Sequence, residues 1–467
     1  MSGPLKDAKA VLMLLFILAF ATLMDGMDGS IVNIALPTIA GEMGADTGTI
    51  SWVTTAYYMS IAGTILLFAR IAKNGNIKKV FTCGLLLFLT GSVLCSVSIS
   101  LPMLISFRII QGLGAAMMGA SAPMACVRYL PINKLGLGLG VITLGCSLGY
   151  TLGPAIGGFI VDALSWHWIF LINIPLCIIA LPILLKAIPK DDVVNKSPVD
   201  LLGAAIFFVM IASGMMALER STYSEDRIAV IIATILFVVC LITFITVELR
   251  KHMPLLNVRV FKSLRFDAVT LSFLLVNFSY MGILYLMPFF FVTCMGFSPT
   301  TCGLYILLPS VITLLFVVPL SRWSDRIGRR PFSIASCIFL TLAFMIMALC
   351  SETGDTVPLV IALILMGMTW ATCGGAMASR IVENTEFESR EMGSSLMTES
   401  TYIGCAAGTA FFAMIFTLYT GSGNTGFTNL APEIFLNGYV FCLSVALIIG
   451  IICTVLSAAV NEKKNGA

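Results

Sequence analysis

Met24-Asp25-Gly26-Met27-Asp28-Gly29-Ser30-Ile31-Val32-Asn33-Ile34-Ala35-Leu36-Pro37 is the stretch on which the reading of this chain turns. It lies inside an apolar run that starts at Val11 and holds no charge before Asp25. An ionised side chain at mid-depth in a bilayer costs about 2.5 kcal/mol or more unless it is paired or faces water. The i, i+3 spacing puts Asp25 and Asp28 on one helix face. Two like charges one turn apart in a partly dry cavity resist ionising together, which suits a carboxyl that exchanges a proton. A local structural role, capping or hydrogen bonding around Gly26 and Gly29, is the alternative for either acid. Pro37 is expected to end the helix or bend it.

The rest of the composition agrees with a membrane setting. Of 467 residues, 58% are hydrophobic and 11% charged, and the mean hydropathy is +1.01. That excludes a soluble globular domain and points to a polytopic membrane protein. No cleavable signal is expected, because the first apolar run is too long for one. The 14 cysteines stand singly with no CxxC pair, so they read as packing residues, and neither a metal site nor a cofactor is expected.

Apolar runs of bilayer length, about 20 residues each, fall near 11–36, 50–69, 80–99, 102–127, 136–161, 166–186 and 200–218. They continue near 228–248, 268–292, 300–320, 331–350, 357–379, 394–418 and 436–460, which makes 14. The expected fold class is therefore an all-α polytopic membrane protein. With the N-terminus in the cytoplasm, the 27 basic residues divide as 24 in inside loops, two outside (Arg220 and Arg227) and one, Arg108, within a span. The positive-inside rule thus supports both the count and two cytoplasmic termini.

Charged interruptions at Lys186–Asp200 and Glu248–Asp267 divide the spans as six, two and six. The expected domains are a six-helix bundle over 1–190, linkers with an inserted hairpin over 191–266, and a second six-helix bundle over 267–467 with a short cytoplasmic tail. Each half has a short basic connection between its second and third spans. The first runs Arg70-Ile71-Ala72-Lys73-Asn74-Gly75-Asn76-Ile77-Lys78-Lys79. The second runs Ser321-Arg322-Trp323-Ser324-Asp325-Arg326-Ile327-Gly328-Arg329-Arg330.

Four motifs in order, each on the appropriate span, carry a family resemblance. They are Asp28-Gly-Ser-Ile-Val-Asn33-Ile-Ala-Leu-Pro37, Leu104-Ile-Ser-Phe-Arg108-Ile-Ile-Gln111-Gly112-Leu-Gly114, Gly149-Tyr-Thr-Leu-Gly153-Pro154-Ala-Ile-Gly157-Gly158 and Trp166-His-Trp168-Ile-Phe170-Leu-Ile-Asn173-Ile-Pro175. The chain resembles the 14-helix drug:proton antiporter branch of the major facilitator superfamily nearly end to end. That implies a major facilitator fold and proton-coupled export across the plasma membrane. It also implies that the fifth-span set Gly149, Gly153, Pro154, Gly157 and Gly158 is the hinge on which the halves rock; spacing alone shows close helix packing.

Arg108 and Asp28 lie at matching depth in their spans, so contact between them is expected, with Gln111 as a polar companion. Asp28 belongs to the family motif and is the expected proton carrier, with Arg108 setting its affinity; Asp25 is an addition to the motif. Glu399, about two turns into the thirteenth span, is either a further titratable or cation-contacting group or an interfacial surface residue. Glu219, Glu248, Asp267, Arg380 and Glu383 sit at helix ends and are expected at the interface. Tyr57, Tyr150 and Tyr402, with Asn33 and Gln111, are the candidate cavity lining for a lipophilic substrate. In the second basic loop, Asp325, Arg326, Gly328, Arg329 and Arg330 match a cytoplasmic latch built on charge-assisted hydrogen bonds, with Ser321 replacing the family's glycine. The first loop departs: Lys73 stands at the aspartate position and Asn76 at the glycine.

The leading expectation is export of hydrophobic or cationic small molecules in exchange for protons, by a monomer in the lipid bilayer with no nucleic-acid partner. The alternative on the same scaffold is an exporter of an endogenous amphiphile such as a lipid precursor. A membrane-embedded enzyme is disfavoured by only two histidines, His167 and His252. No GxxxxGK[ST] loop supports an ATP-driven pump. A channel fits the hydropathy but not the antiporter motifs.

Overall fold

The computed structural model describes residues 7–130, 135–190, 199–221, 226–251, 255–256, 264–351, 355–383, 390–421 and 430–460. Those residues hold 14 helices or helix pairs long and apolar enough to cross a membrane. Helices satisfy every backbone polar group within themselves, which a bilayer core demands. In chain order they are α1 (Ala8–Met43), α2 (Thr47–Ile71), α3 (Ile77–Ser96), α4 (Leu101–Tyr129) and α5 (Leu135–Ala163). The sixth span is two pieces, α6 (Trp168–Leu171) and α7 (Asn173–Ala187). The inserted pair is α8 (Leu201–Arg220) and α9 (Arg227–Arg250). Then come α10 (Leu264–Thr293), α11 (Pro299–Ile327), α12 (Arg329–Cys350), α13 (Thr356–Glu383), α14 (Arg390–Thr420) and α15 (Pro432–Ala459).

Helix ends follow local chemistry. The Asp46 carboxylate caps α2 by accepting from the Thr49 N–H at 2.8 Å, and Asp200 caps α8 through the Gly203 N–H at 2.8 Å. Of the two outcomes expected at Pro37, a stop or a bend, the stop does not occur: α1 runs through it to Met43 and is capped by Gly44 at φ +62°. At 36 residues, or about 54 Å, it exceeds the apolar thickness of a bilayer. Between α2 and α3 the chain does not break: a π-helical turn, Ala72–Asn76, joins them. The corresponding junction between α11 and α12 does break, at Gly328 with φ +116°.

Packing repeats itself. In the first half α1 lies on α5, α2 on α4, and α3 on α4 and α7; in the second α10 lies on α14, α11 on α13, and α12 on α13 and α15. Replacing α1 by α10, α2 by α11 and so on carries one pattern onto the other, as a duplicated unit requires. The halves meet along two seams, α2 with α14 and α5 with α11. Under the same replacement each seam maps onto the other, so a pseudo-two-fold axis relates them. The inserted helix α8 packs on both α2 and α14, and α9 packs on α8.

Candidate functional site

The centre of the first half is an ion pair with no exposure. Arg108 Nη1 on α4 donates to Asp28 Oδ2 on α1 at 2.6 Å, with side-chain exposures of 1% and 0%. The other Asp28 oxygen accepts from Gln111 Nε2 at 2.7 Å and from Asn173 Nδ2 at 3.0 Å. Arg108 also donates to the Val53 carbonyl at 3.0 Å and to Gln111 Oε1 at 2.7 Å. Ser92 Oγ receives the remaining donors of Gln111 and Asn173. Both charges are therefore compensated and hydrogen-bonded, which is the condition for burying them at all.

Asn173 reaches this cage because the sixth span breaks at Ile172, between α6 and α7. Its motif is visible in the sequence, but Asn173 was not among the expected site residues, nor was Ser92. A carboxamide beside a proline-induced break is the signal that would have found the first. For Ser92, one of several hydroxyl residues on the third span with Thr82, Thr90 and Ser96, no signal exists.

Asp25 is placed differently. Three residues along a helix leave its side chain about 60° around the axis from Asp28, enough to face another neighbour. The Asp25 carboxylate accepts from the Tyr57 hydroxyl of α2 at 2.7 Å and from the Tyr402 hydroxyl of α14 at 3.1 Å. It is half-buried, and among the described residues it has no cationic partner. Its two donors come from opposite halves of the molecule. Tyr57 also connects the two acids, since the Arg108 guanidinium lies 4.1 Å from its ring centre. Tyr58, which no motif marks, lies 6.4 Å from the Tyr402 ring and donates to the Gly29 carbonyl at 3.1 Å.

The remaining expected lining residues divide. Gln111 belongs to the Asp28 cage. Asn33 is buried and accepts from the Thr54 hydroxyl at 3.3 Å. Tyr150 is half-buried, and its carbonyl accepts from Ser310 Oγ of α11 at 3.2 Å across the second seam.

Glycines on α5 do two jobs. A Cβ on Gly149 would lie 2.6 Å from the Met27 nitrogen, and Gly153 and Gly157 likewise abut Met27, Ser30 and Ile31 of α1. Most of the presumed hinge face thus lies inside the first half. Only its end touches the other half: Gly158 abuts Pro299 and Thr300, while the Pro154 carbonyl faces Gly303 of α11. Next to them the Asp162 carboxylate accepts from the Thr300 N–H at 2.8 Å. The halves are closed against each other at this end.

Several residues expected at the interface are instead buried. Glu219 is 2% exposed, Glu248 2% and Arg380 2%. They are helix-end residues, but neighbouring helices cover them. Arg380 Nη2 donates to the Val460 carbonyl at 2.8 Å, and Arg330 Nη2 to the Ala458 carbonyl at 2.5 Å, so both grip the end of α15. In the first basic connection, Lys78 Nζ donates to the Leu185 and Ile188 carbonyls at 2.6 and 2.8 Å, closing the end of α7. Arg326 is exposed, Arg329 half-buried, and the side chains of Asp325 and Glu383 lie outside the described residues.

Glu399 is inside the protein, 3% exposed, so the surface alternative does not hold. Both its carboxyl oxygens are buried without a hydrogen-bond partner among the described residues. Outside the spans, burial pushes the Asp200 carboxyl up, but the Lys251 ammonium and the Gly203 N–H outweigh it and hold it below the usual carboxylate range.

Fourteen spans in two pseudosymmetric halves, with compensated and uncompensated acids at mid-depth, define a secondary transporter. Residues 18–409 match the Major Facilitator Superfamily model. The chain belongs to that superfamily, a family of transporters and not of enzymes, and resembles its 14-helix drug:proton antiporters. It is 29% identical over 405 residues to the riboflavin transporter RibZ of Clostridioides difficile, covering 86% of this chain and 87% of that one. It is 29% identical over 356 residues to the multidrug export protein EmrB of Escherichia coli K12, covering 75% and 69%. It is 32% identical over 348 residues to the fatty acid resistance protein FarB of Neisseria gonorrhoeae, covering 73% and 67%. In fold it is similar to a POT family transporter crystallised with 5-aminolevulinic acid, with TM-score 0.72, 15% identity and 99% of each chain covered.

Proposed function

We propose that this chain exports hydrophobic or cationic drug-like compounds in exchange for protons, by alternating access, as a monomer in the plasma membrane. The observation that carries the reading is Asp25: a half-buried, mid-span carboxylate with no cationic partner among the described residues, held by one tyrosine from each half. Opening the α2–α14 seam removes the Tyr402 donor and closing it returns the donor, so the proton affinity of Asp25 changes with the state of the transporter. Asp28 was the proton carrier expected from the motif. In this geometry we assign the exchanged proton to Asp25, and to Asp28 and Arg108 the fixed charge pair that positions Tyr57. Glu399 is a second acid available for titration in the other half.

The charge division supports two cytoplasmic termini, and with that orientation the Asp162–Thr300 closure faces outside. The substrate would then reach the tyrosines from the inner side. We divide the chain into two six-span bundles around the inserted pair; the boundary expected at 267 falls inside α10 (Leu264–Thr293), and that at 191 lies outside the described residues.

The amphiphile alternative is weaker for an anion. Arg108, the basic residue at mid-depth, is already taken by Asp28. RibZ and FarB are nevertheless relatives whose names concern a vitamin and fatty acids, so the assay needs both classes. Purified protein in liposomes with an imposed pH gradient should move tetraphenylphosphonium, and a gradient-collapsing ionophore should stop it. Movement of oleate or riboflavin alone would favour the alternative, and cation movement indifferent to the gradient would refute proton coupling.

A further inference from the structure

The inserted pair lies against both halves, so it has to follow one of them when the α2–α14 seam opens. Two contacts tie α8 to α2. At one end Ser51 Oγ lies 2.6 and 2.7 Å from the two carboxyl oxygens of Glu219, and Thr55 Oγ1 donates to the same group at 3.2 Å. At the other, α2 has Gly63, where a Cβ would lie 2.6 Å from the Phe208 ring of α8, so only a glycine admits that ring. Ser51 to Gly63 spans about 18 Å of α2, and Phe208 to Glu219 about 16 Å of α8. The contacts are therefore in register along two antiparallel helices.

The pair itself is stiff. The Phe207 and Phe244 rings lie 5.1 Å apart, Gly214 of α8 receives Phe237 of α9, and the Lys251–Asp200 ion pair closes the far end. What holds α8 holds α9. A carboxyl buried between helices is expensive to part from its hydrogen-bond donors, whereas apolar helix surfaces slide past one another readily.

We propose that Glu219 moors the inserted pair to α2, so that α8 and α9 travel with the first half and α8 slides along α14. Glu219 is on this view a positioning residue. The proposal rests on the alternating-access part of the function above, and its test separates the two.

Spin labels are placed in pairs at Leu164, Ser221 and Tyr419, exposed sites near the outer ends of α5, α8 and α14. Cys83 and the half-buried cysteines are replaced by alanine. Distances are measured by pulsed electron resonance at low and high pH, with and without tetraphenylphosphonium. The mooring predicts that Leu164–Tyr419 and Ser221–Tyr419 shift together while Leu164–Ser221 stays fixed. A fixed Ser221–Tyr419 with a shifting Leu164–Ser221 overturns it. An unchanging Leu164–Tyr419 distance in every condition refutes alternating access instead, and Glu219→Leu then decides the mooring alone. That variant should broaden Leu164–Ser221 in all states and lower turnover several-fold without changing KM. Glu219→Gln, whose amide oxygen still accepts from Ser51 and Thr55, should restore both. A Leu164–Ser221 distribution unbroadened in Glu219→Leu overturns the proposal.

Discussion

Replacing Arg108 by methionine keeps most of the side-chain length and removes the charge. Asp28 is then left fully buried with two neutral donors, Gln111 at 2.7 Å and Asn173 at 3.0 Å, in place of three donors of which one is a cation. Stranding one partner of a buried pair costs about 3–5 kcal/mol. That is a factor of roughly one hundred and fifty to several thousand in the folding equilibrium. Asp28→Asn leaves Arg108 in the converse position, a buried charge facing neutral groups alone: the new amide, the Val53 carbonyl, Gln111 and the Tyr57 ring. The double replacement removes both charges, and its cost should fall well below the sum of the two. We expect non-additivity of about 2–3 kcal/mol, in the range measured for directly coupled neighbours. Unfolding in mixed dodecylmaltoside and dodecyl sulfate micelles, followed by fluorescence of the five tryptophans, measures all three variants. If the double variant is as unstable as the two singles summed, the ion pair is not the keystone of this half.

Asp25→Asn should abolish proton release on adding tetraphenylphosphonium to the purified protein in detergent. Release that survives Asp25→Asn but not a folded Asp28→Asn returns the exchanged proton to Asp28, and dependence on Glu399→Gln alone moves it to the second half. Tyr402→Phe removes only the donor 3.1 Å from Asp25. A single bond to a charged group is worth about 1.5 kcal/mol or more, so the pH dependence of transport should move by roughly one unit; an unmoved profile contradicts the seam role. Gly149→Ala places a carbon 2.6 Å from the Met27 nitrogen. Overpacking of that kind costs about 1–3 kcal/mol and should lower the yield of monodisperse protein on size exclusion. Asp325→Asn should slow turnover with little effect on substrate affinity, while Lys73→Asp is tolerated; equal sensitivity would show that the first connection has chemistry of its own.

Much of this architecture can be read in advance because a bilayer leaves few choices. Every apolar run of bilayer length became helical, the sixth in two pieces, and most ends lie within a few residues of those expected, since polar and charged residues set them at the interfaces; the far ends of α1 and α11 each run seven residues further. Arg108 and Asp28 could be paired from depth alone: two costly charges at one level have few ways to be satisfied. What escaped the sequence is rotation about helix axes. Asp25 and Asp28 share one helix face by spacing, and the motif favours Asp28, but the azimuth that sends Asp28 to α4 and Asp25 to Tyr402 of α14 is not written in either. Glu219 and Arg380 looked interfacial because their depth was legible and their covering neighbours were not. The α5 glycines show the same limit: the spacing announced close approach, but not that α1 is the partner for three of them. Between the two outcomes open at Pro37 the sequence did not choose; the helix absorbs the proline and ends at the glycine cap, Gly44.

The two seams are related by the pseudo-two-fold axis, yet only the α2–α14 seam has α8 lying over it, with α9 outside that. For a molecule dissolved in the lipid, the bundle therefore has a front and a back. Along one seam a wall two helices deep separates the acyl chains from the tyrosines around Asp25. Along the other, α5 and α11 meet the bilayer without such a roof among the described helices. An apolar compound diffusing in the plane of the membrane encounters a protein whose internal symmetry has been broken sideways, at right angles to the direction in which it moves its cargo.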